Sequence, residues 1–416
     1  MSTTSSEYNS SENNSSSEYN SSDSDYDDYK ENYNLEGELL NKYNIICEIG
    51  RGAFSIVWLG YNISNENFYA IKVQNYTDYD DGIDEVEALK KIKHNSGYLN
   101  TMVEYFIEKR IMDKKTRRSV CSVYELCCGN IDKLARKGNY QNGYPREVVD
   151  VIYKQLVIAI NDLHYKNRMF HGDIKPDNIL LCGLNNYDKK IIDMYNSYNF
   201  SSVYSDVKKK YWLEKGKDLK NIKKMKPETK LRIREEIHRN IVFDIMSNDI
   251  NESKYEFDPE YLKPDNLKIK LTDFGSYCPD DEFFEEPFGT TYYQAPEMIF
   301  MDKCTKKVDI WALGCTIYEL LTGKILFDPG DDMDSETENK IQLEMMVDFC
   351  GNYNKDFFHN GQFYKKYRLN NYKRFNKLLV FDQLKDKVGE HYASILQNML
   401  VISPGQRSEI KYFISN

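Results

Sequence analysis

The sequence predicts an α+β protein in which a strand-rich part precedes a helical part, with an unfolded acidic tail in front. Three observations carry this. Residues 43–73 read as the short runs "YNIICEIG", "FSIVWLGYN" and "FYAIKVQ", rich in β-branched and aromatic residues and separated by Gly, Asn, Ser and Glu. Beyond Pro145, the apolar residues Val149, Ile152, Leu156, Ile160 and Leu163 recur every three or four positions, which places them on one face of a helix. Residues 1–34 hold eight acids against the single base Lys30, with eleven serines in the first 24 positions. Such a segment cannot bury enough apolar surface to offset the entropy of ordering.

The elements follow in order. The tail is expected to be disordered over 1–36. Ser15, Ser22 and Ser24 each have an acid three residues on (Glu18, Asp25 and Asp27), a pattern open to acid-directed phosphorylation, though a solubilising tail is the favoured reading. The strand-rich part spans 37–126. It includes a helix expected over 82–93, with Val86, Leu89 and Ile92 at three-residue steps, and renewed strand patterning over 103–126. The helical part spans 127–416, and Pro145 suits the first turn of its leading helix.

Residues 183–267 read as an insertion. Positions 189–239 carry a net charge of +8 and 240–267 a net −5. Pro227 opens a plausible helix, with Ile233, Ile237, Ile241 and Ile245 at four-residue spacing. The expectation is a segment partly helical and partly disordered. Its basic stretch would dock an acidic partner, serve as a localisation signal, or simply face water.

Charge and composition exclude several classes. The 416 residues contain 66 acids and 56 bases, a net −10, of which the tail supplies −7. An acidic chain is a poor candidate for sequence-wide contact with nucleic acid phosphates, so no direct nucleic acid partner is expected. No apolar run reaches the roughly 18–20 residues of a membrane span, and no membrane partner is expected. Nine cysteines without a C-x-x-C pair read as reduced thiols in a reducing compartment, so the chain is expected to be intracellular, cytoplasmic or nuclear.

The chemistry lies in motifs that fall in an informative order. Gly50-Arg51-Gly52-Ala53-Phe54-Ser55-Ile56-Val57 sits between two strand-like runs, and its glycines let backbone amides approach phosphates. Ala70-Ile71-Lys72-Val73 places a lysine in an apolar strand, where it needs a carboxylate partner. Glu85 is the first candidate, since Leu89 lies on the same stripe. Glu87 is the second. His171-Gly172-Asp173-Ile174-Lys175-Pro176-Asp177-Asn178 offers a carboxylate to orient a hydroxyl and take its proton, a lysine two residues on to offset phosphoryl charge, and an amide five residues on to hold a metal. Asp273-Phe274-Gly275 supplies a second oxygen ligand. Ala295-Pro296-Glu297, "DIWALG" from Asp309, and Arg407 follow.

In this order the motifs are the protein kinase signature set. The sequence resembles the eukaryotic protein kinases over about 37–416, which implies a bilobal kinase fold: a β-rich N-lobe (37–126) and an α-helical C-lobe (127–416). Within that superfamily it is most similar to the SR protein kinases. The similarity rests on "ENYNLEGELLNKYNIICEIGRGAFSIVWLG", on "NYQ" at 139–141, and on an insertion between the catalytic loop and DFG, that family's spacer position. Two features depart from it: Phe274 in DFG, and the general form "GTTYYQAPE" at 289–297.

The resemblance implies an ATP- and Mg²⁺-dependent serine/threonine kinase, expected to be monomeric, acting on basic, Arg-rich protein substrates. ATP is expected at Ile49, Gly50, Arg51, Gly52, Ala53, Phe54, Ser55, Ile56, Val57, Ala70 and Lys72. The backbones of Glu125 and Cys127 would bond adenine, with Tyr124 as gatekeeper. Lys72, Glu85, Asp173 and Lys175 form the expected catalytic set, and Asn178 and Asp273 the metal ligands. Thr290 is expected to contact Asp173 and Lys175, and Asp331, Asp332 and Asp334 to dock substrate. Gly172 stands where many kinases carry an arginine that pairs with an activation-loop phosphate. Beside the acids Asp280, Asp281, Glu282, Glu285 and Glu286, its absence predicts constitutive activity. The competing functional class is a kinase-like binding scaffold, against which the retention of base and both metal ligands argues.

Overall fold

The computed structural model describes residues 34–112, 114–279, 288–330, 333–351, 354, 356–367 and 378–414. The tail up to residue 33, the activation-segment acids Asp280, Asp281, Glu282, Glu285 and Glu286, and the docking candidates Asp331 and Asp332 lie outside the described residues.

The strand-like runs form one antiparallel sheet of β1 (Leu39–Leu40), β2 (Tyr43–Arg51), β3 (Ser55–Asn62), β4 (Phe68–Gln74), β5 (Glu104–Met112) and β6 (Lys115–Tyr124), in the order β1-β2-β3-β4-β6-β5. Its packing fixes one glycine. A Cβ at Gly60 would sit 2.3 Å from Cδ1 of Ile71, a fully buried residue of β4. Bare backbone in β3 is what lets that side chain fill the core.

Helix α1 (Tyr79–Lys91) begins a turn earlier than its apolar spacing suggested. Asp80 and Asp81 in its first turn complement the helix dipole. Gly82 is an interior residue, because α1 lies so close to β6 that a Cβ there would come within 3.0 Å of Val120. The helix buries Glu85, Val86, Ala88 and Leu89 and ends where Ile92 turns extended.

Beyond Tyr124 the chain forms β7 (Cys127–Asn130), α2 (Ile131–Arg136), α3 (Arg146–Asn161), β8 (Met169–Phe170) and β9 (Ile179–Cys182). Pro145 occupies the N-cap of α3, and Val149, Ile152, Leu156, Ile160 and Leu163 are all fully buried, as their periodicity requires.

The insertion then folds as α4 (Asn186–Ser197), α5 (Phe200–Glu214) and α6 (Pro227–Met246). The helix expected from Pro227 is present, and where the expectation left part of the segment disordered, an apolar stripe is packed. Ile233, Ile237, Ile241 and Ile245 bury one stripe of α6, and with Ile191, Tyr195 and Trp212 they form a single cluster with Ile46 and Cys47 of β2 and Leu59 of β3. The charge runs face water while the apolar stripe finds a partner on the sheet. The charge count could not show this, because it averages over both faces of each helix.

The chain continues through β10 (Ile269–Leu271), β11 (Cys278–Pro279), α7 (Lys307–Thr322), α8 (Ser335–Cys350), α9 (Leu378–Leu396, broken at Gly389) and α10 (Ile410–Ile414). Strands pair as β10-β9-β7 and β11-β8. Every residue of α7 from Val308 to Leu320 is buried, so this helix is the axis around which the helical lobe packs. Among the described residues no helix is long and apolar enough to cross a membrane.

Candidate active site

Lys72 lies in β4, opposite Val57 of β3 and Ser122 of β6. Its amine reaches both carboxylate oxygens of Glu85, at 2.9 and 2.7 Å. Glu87 sits on the exposed face of α1 and pairs instead with Lys90. Burial by itself would lower the Lys72 pKa. The Glu85 and Asp273 carboxylates outweigh it and hold the amine above its ordinary range, fully cationic.

The glycine loop closes the β2–β3 hairpin, with the Gly52 amide donating to Ser55 O at 2.9 Å. A Cβ at Gly50 would find nothing nearer than Val57 at 3.7 Å, and one at Gly52 nothing nearer than 3.8 Å. The fold itself therefore does not demand glycine here, and bare backbone serves a group that approaches from the cleft, as a phosphate does. Ile49, Val57 and Ala70 are partly exposed and apolar, a surface suited to a planar base. Ile56 is buried on the opposite face of β3 from Val57, Phe54 stands 62% exposed at the tip, and Arg51 pairs with Glu48. Tyr124 is buried at the end of β6. Glu125 follows in the link, with its carboxylate on the Lys270 amine at 2.5 Å, and Cys127 opens β7.

The segment between β8 and β9 carries the other candidates. Asp173 accepts from Lys175 Nζ at 2.7 Å, from Asn178 Nδ2 at 3.0 Å, and from the amide and hydroxyl of Thr290 at 2.9 and 2.8 Å. Lys175 also donates to the Thr290 hydroxyl. The contacts expected of Thr290 are thus present. Asn178 Nδ2 is further bound to Asp173 O, and Oδ1 has no hydrogen-bond donor among the described residues. Asp273 is exposed, carries no hydrogen bond among the described residues, and adopts φ +66°, a conformation uncommon without a local reason. One amide oxygen and one uncommitted carboxylate are hard donors that fit a divalent cation whose remaining ligands are phosphate oxygens and water.

His171 orders this segment. Its Nδ1 accepts from the Asp173 amide at 3.2 Å, so Nε2 bears the proton and donates to Thr272 O at 2.9 Å. Its ring packs on the buried Phe274, centroids 5.2 Å apart. Catalytic loop and DFG segment are thereby tied together by one neutral imidazole.

Residues 43–213 and 258–415 match the protein kinase domain family. The chain belongs to the protein kinase family. The unmatched stretch, 214–257, contains α6 of the insertion. Similar proteins include the putative serine/threonine-protein kinase L205 of Acanthamoeba polyphaga mimivirus, 28% identical over 374 residues covering 70% of this chain and 69% of the relative. The serine/threonine-protein kinase SRPK of Physarum polycephalum is 28% identical over 337 residues, covering 79% and 71%. Human SRSF protein kinase 3 is 23% identical over 436 residues, covering 77% and 76%. Likeness to SR protein kinases is therefore found by comparison as well as in the motifs, and family membership implies that this kinase uses ATP.

Sequence reasoning noted Asp309, Glu297 and Arg407 without giving them work. In this kinase the buried Asp309 carboxylate accepts from the amides of His171 and Gly172, at 2.8 and 2.9 Å, and from His164 Nε2 at 2.8 Å. Burial favours its neutral form, but the His164 and His171 contacts prevail and keep it ionised, below its ordinary pKa. A lone aspartate in the otherwise apolar "DIWALG" was the signal available. Asp334, a docking candidate, caps α8, accepting from the amides of Glu336 and Thr337 at 3.0 Å.

Proposed function

We propose that this kinase transfers the γ-phosphate of ATP to serine or threonine hydroxyls of basic, Arg-rich proteins, and that it does so constitutively, as a monomeric intracellular enzyme. The observation that carries the chemistry is Asp173, held by Lys175, Asn178 and Thr290 in one hydrogen-bonded group. Asp173 orients the attacking hydroxyl and takes up its proton. Lys175, already beside it, offsets charge on the transferring group. Lys72, positioned by Glu85, holds the α- and β-phosphates under the glycine loop, and the Glu125 and Cys127 backbones hold adenine. Asn178 and Asp273 would hold Mg²⁺, which would supply positive charge to offset the charge that develops on the phosphoryl group.

Local charge supports a basic substrate. Asp177, four residues past Asp173, is pushed above the ordinary carboxylate range by burial and by Asp132, with Lys175, Lys133 and Arg136 acting the other way, so further positive charge at this point would be favourable. Asp328, Asp334, Glu336 and Glu338 lead into α8, next to Asp331 and Asp332 in sequence. We assign docking to this group. Because Asp334 is also a helix cap, its replacement would cost stability as well as affinity.

Constitutive activity is supported by Gly172. Its φ is +82°, and a Cβ would lie 2.6 Å from Ser276 O, so this backbone has no room for the arginine that would read a loop phosphate. The test is transfer of labelled γ-phosphate to a degenerate peptide library, before and after phosphatase treatment of the enzyme. Selection of Arg-flanked serines with activity unchanged by phosphatase is expected. Activity lost to phosphatase, or no selection for basic residues, would remove the corresponding part.

A further inference from the structure

Of the nine cysteines, seven are buried, and the two that are partly exposed, Cys127 and Cys182, lie directly opposite each other in the antiparallel pair β7–β9. Directly opposed residues in antiparallel strands have Cα atoms about 4.5–5.5 Å apart. A disulfide requires about 4.4–6.8 Å between Cα atoms and about 3.5–4.5 Å between Cβ atoms, so this register puts the two within its reach. Cys127 is also the first residue of β7, at the link between the two lobes, while Cys182 closes β9 at the start of the insertion.

We propose that Cys127 and Cys182 form a peroxide-responsive dithiol that closes reversibly to a disulfide and weakens nucleotide binding. The surroundings divide the roles. A hydrogen bond from Cys127, and then the nearby Lys270 and Lys268 amines, bring the Cys182 thiol below its ordinary range against the opposing effects of burial and Glu125. The same hydrogen bond, with burial, raises Cys127. Cys182 is therefore the attacking sulfur and Cys127 the resolving one. The Cys182 thiolate attacks a peroxide oxygen, the O–O bond breaks, and hydroxide leaves, giving a sulfenic acid. The Cys127 sulfur then attacks that sulfur. The S–S bond forms, the S–O bond breaks, and the departing hydroxide takes the Cys127 proton as water. Two thiols lose two electrons, and hydrogen peroxide is reduced to water.

The effect on nucleotide rests on the ATP reading of the Cys127 backbone. A bond to β9 would pin that backbone and misalign one hydrogen bond to the base, which corresponds to about a tenfold loss of affinity.

The experiment uses the full chain, reduced or treated with hydrogen peroxide, blocked with N-ethylmaleimide and digested without reductant for mass spectrometry. Expected is a Cys127–Cys182 cross-linked peptide two hydrogens lighter than its halves, lost on adding dithiothreitol and absent in Cys182→Ser. In Cys127→Ser, Cys182 should instead be trapped by dimedone as the sulfenic acid. MgATP binding, read by thermal shift, should weaken about tenfold on oxidation of the wild type. It should stay at its reduced value in peroxide-treated Cys182→Ser. Full maleimide labelling of both cysteines after peroxide, or Cys128 as the partner of Cys182, would overturn the proposal. So would a cross-link that leaves MgATP binding unchanged. Reduced wild-type protein that binds no MgATP would instead overturn the kinase reading of the cleft, with the cross-linked peptide still standing.

Discussion

Arg407 lies 110 residues beyond Glu297 and pairs with it through both terminal nitrogens, at 2.7 and 2.9 Å, with neither side chain exposed. The pair joins the end of the activation segment to the last turns of the chain. Arg407 also donates to the carbonyls of Val401 and of Lys307, at the head of α7. Removing one partner leaves a buried charge uncompensated. Arg407→Met and Glu297→Gln are each expected to destabilise the protein by about 3–5 kcal/mol in urea unfolding. Combining the two substitutions should cost less than the sum of the singles. Strict additivity would mean that the pair is not coupled.

Asp173 and Lys72 are expected to be needed for transfer and not for folding. Asp173→Asn should lower kcat by about 10²–10⁴ with the KM for ATP little changed. Lys72→Met should reduce kcat/KM for ATP. Both proteins should melt within a few degrees of the wild type. Full activity in either would exclude the assigned role.

Asp309 holds the backbone amides of His171 and Gly172, immediately before Asp173. In Asp309→Asn the amide nitrogen cannot accept, so either the Gly172 amide, or the His171 amide and His164 Nε2 together, loses its acceptor, at a cost of about 1–3 kcal/mol for each group. A positioning role predicts that kcat falls while the KM for ATP holds. If stability drops and kcat in the folded fraction is unchanged, Asp309 is structural only.

His238 predicts an acid-labile insertion. It stacks on Phe200 with centroids 4.0 Å apart, bonds the Tyr195 hydroxyl, and is pushed from 6.5 to about 3 by burial and then by Arg234. The unfolded chain therefore takes up a proton below pH 6.5 that the folded one refuses. Stability is full above that pH and falls as pH drops towards 3, by on the order of 2 kcal/mol at pH 5. Asp188, raised to about 6, runs the opposite way, so the comparison must be with a variant. His238→Gln should flatten the slope of stability between pH 6.5 and 4, and parallel slopes would refute the assignment.

Much of the site was legible because its groups are close in the chain. Asp173, Lys175 and Asn178 lie within six residues, so spacing alone places them together. Lys72 announced itself as a cation in an apolar strand, and the Leu89 stripe favoured Glu85 over Glu87 as its partner, the carboxylate it meets. Asp309 and the Glu297–Arg407 pair were visible as residues but not as contacts. Their partners are over 100 positions away, and spacing along the chain carries no information at that range.

The insertion marks the same division. By itself the sequence determined its helical register: Pro227 and four isoleucines at four-residue steps specify α6 through local propensity and periodicity. Only the tertiary structure decided that this stripe meets Ile46, Cys47 and Leu59 on the kinase sheet, and that Cys127 faces Cys182 across β7 and β9. An apolar stripe specifies that a partner must exist, because its surface must leave water. Which surface that is depends on the packing of the whole chain.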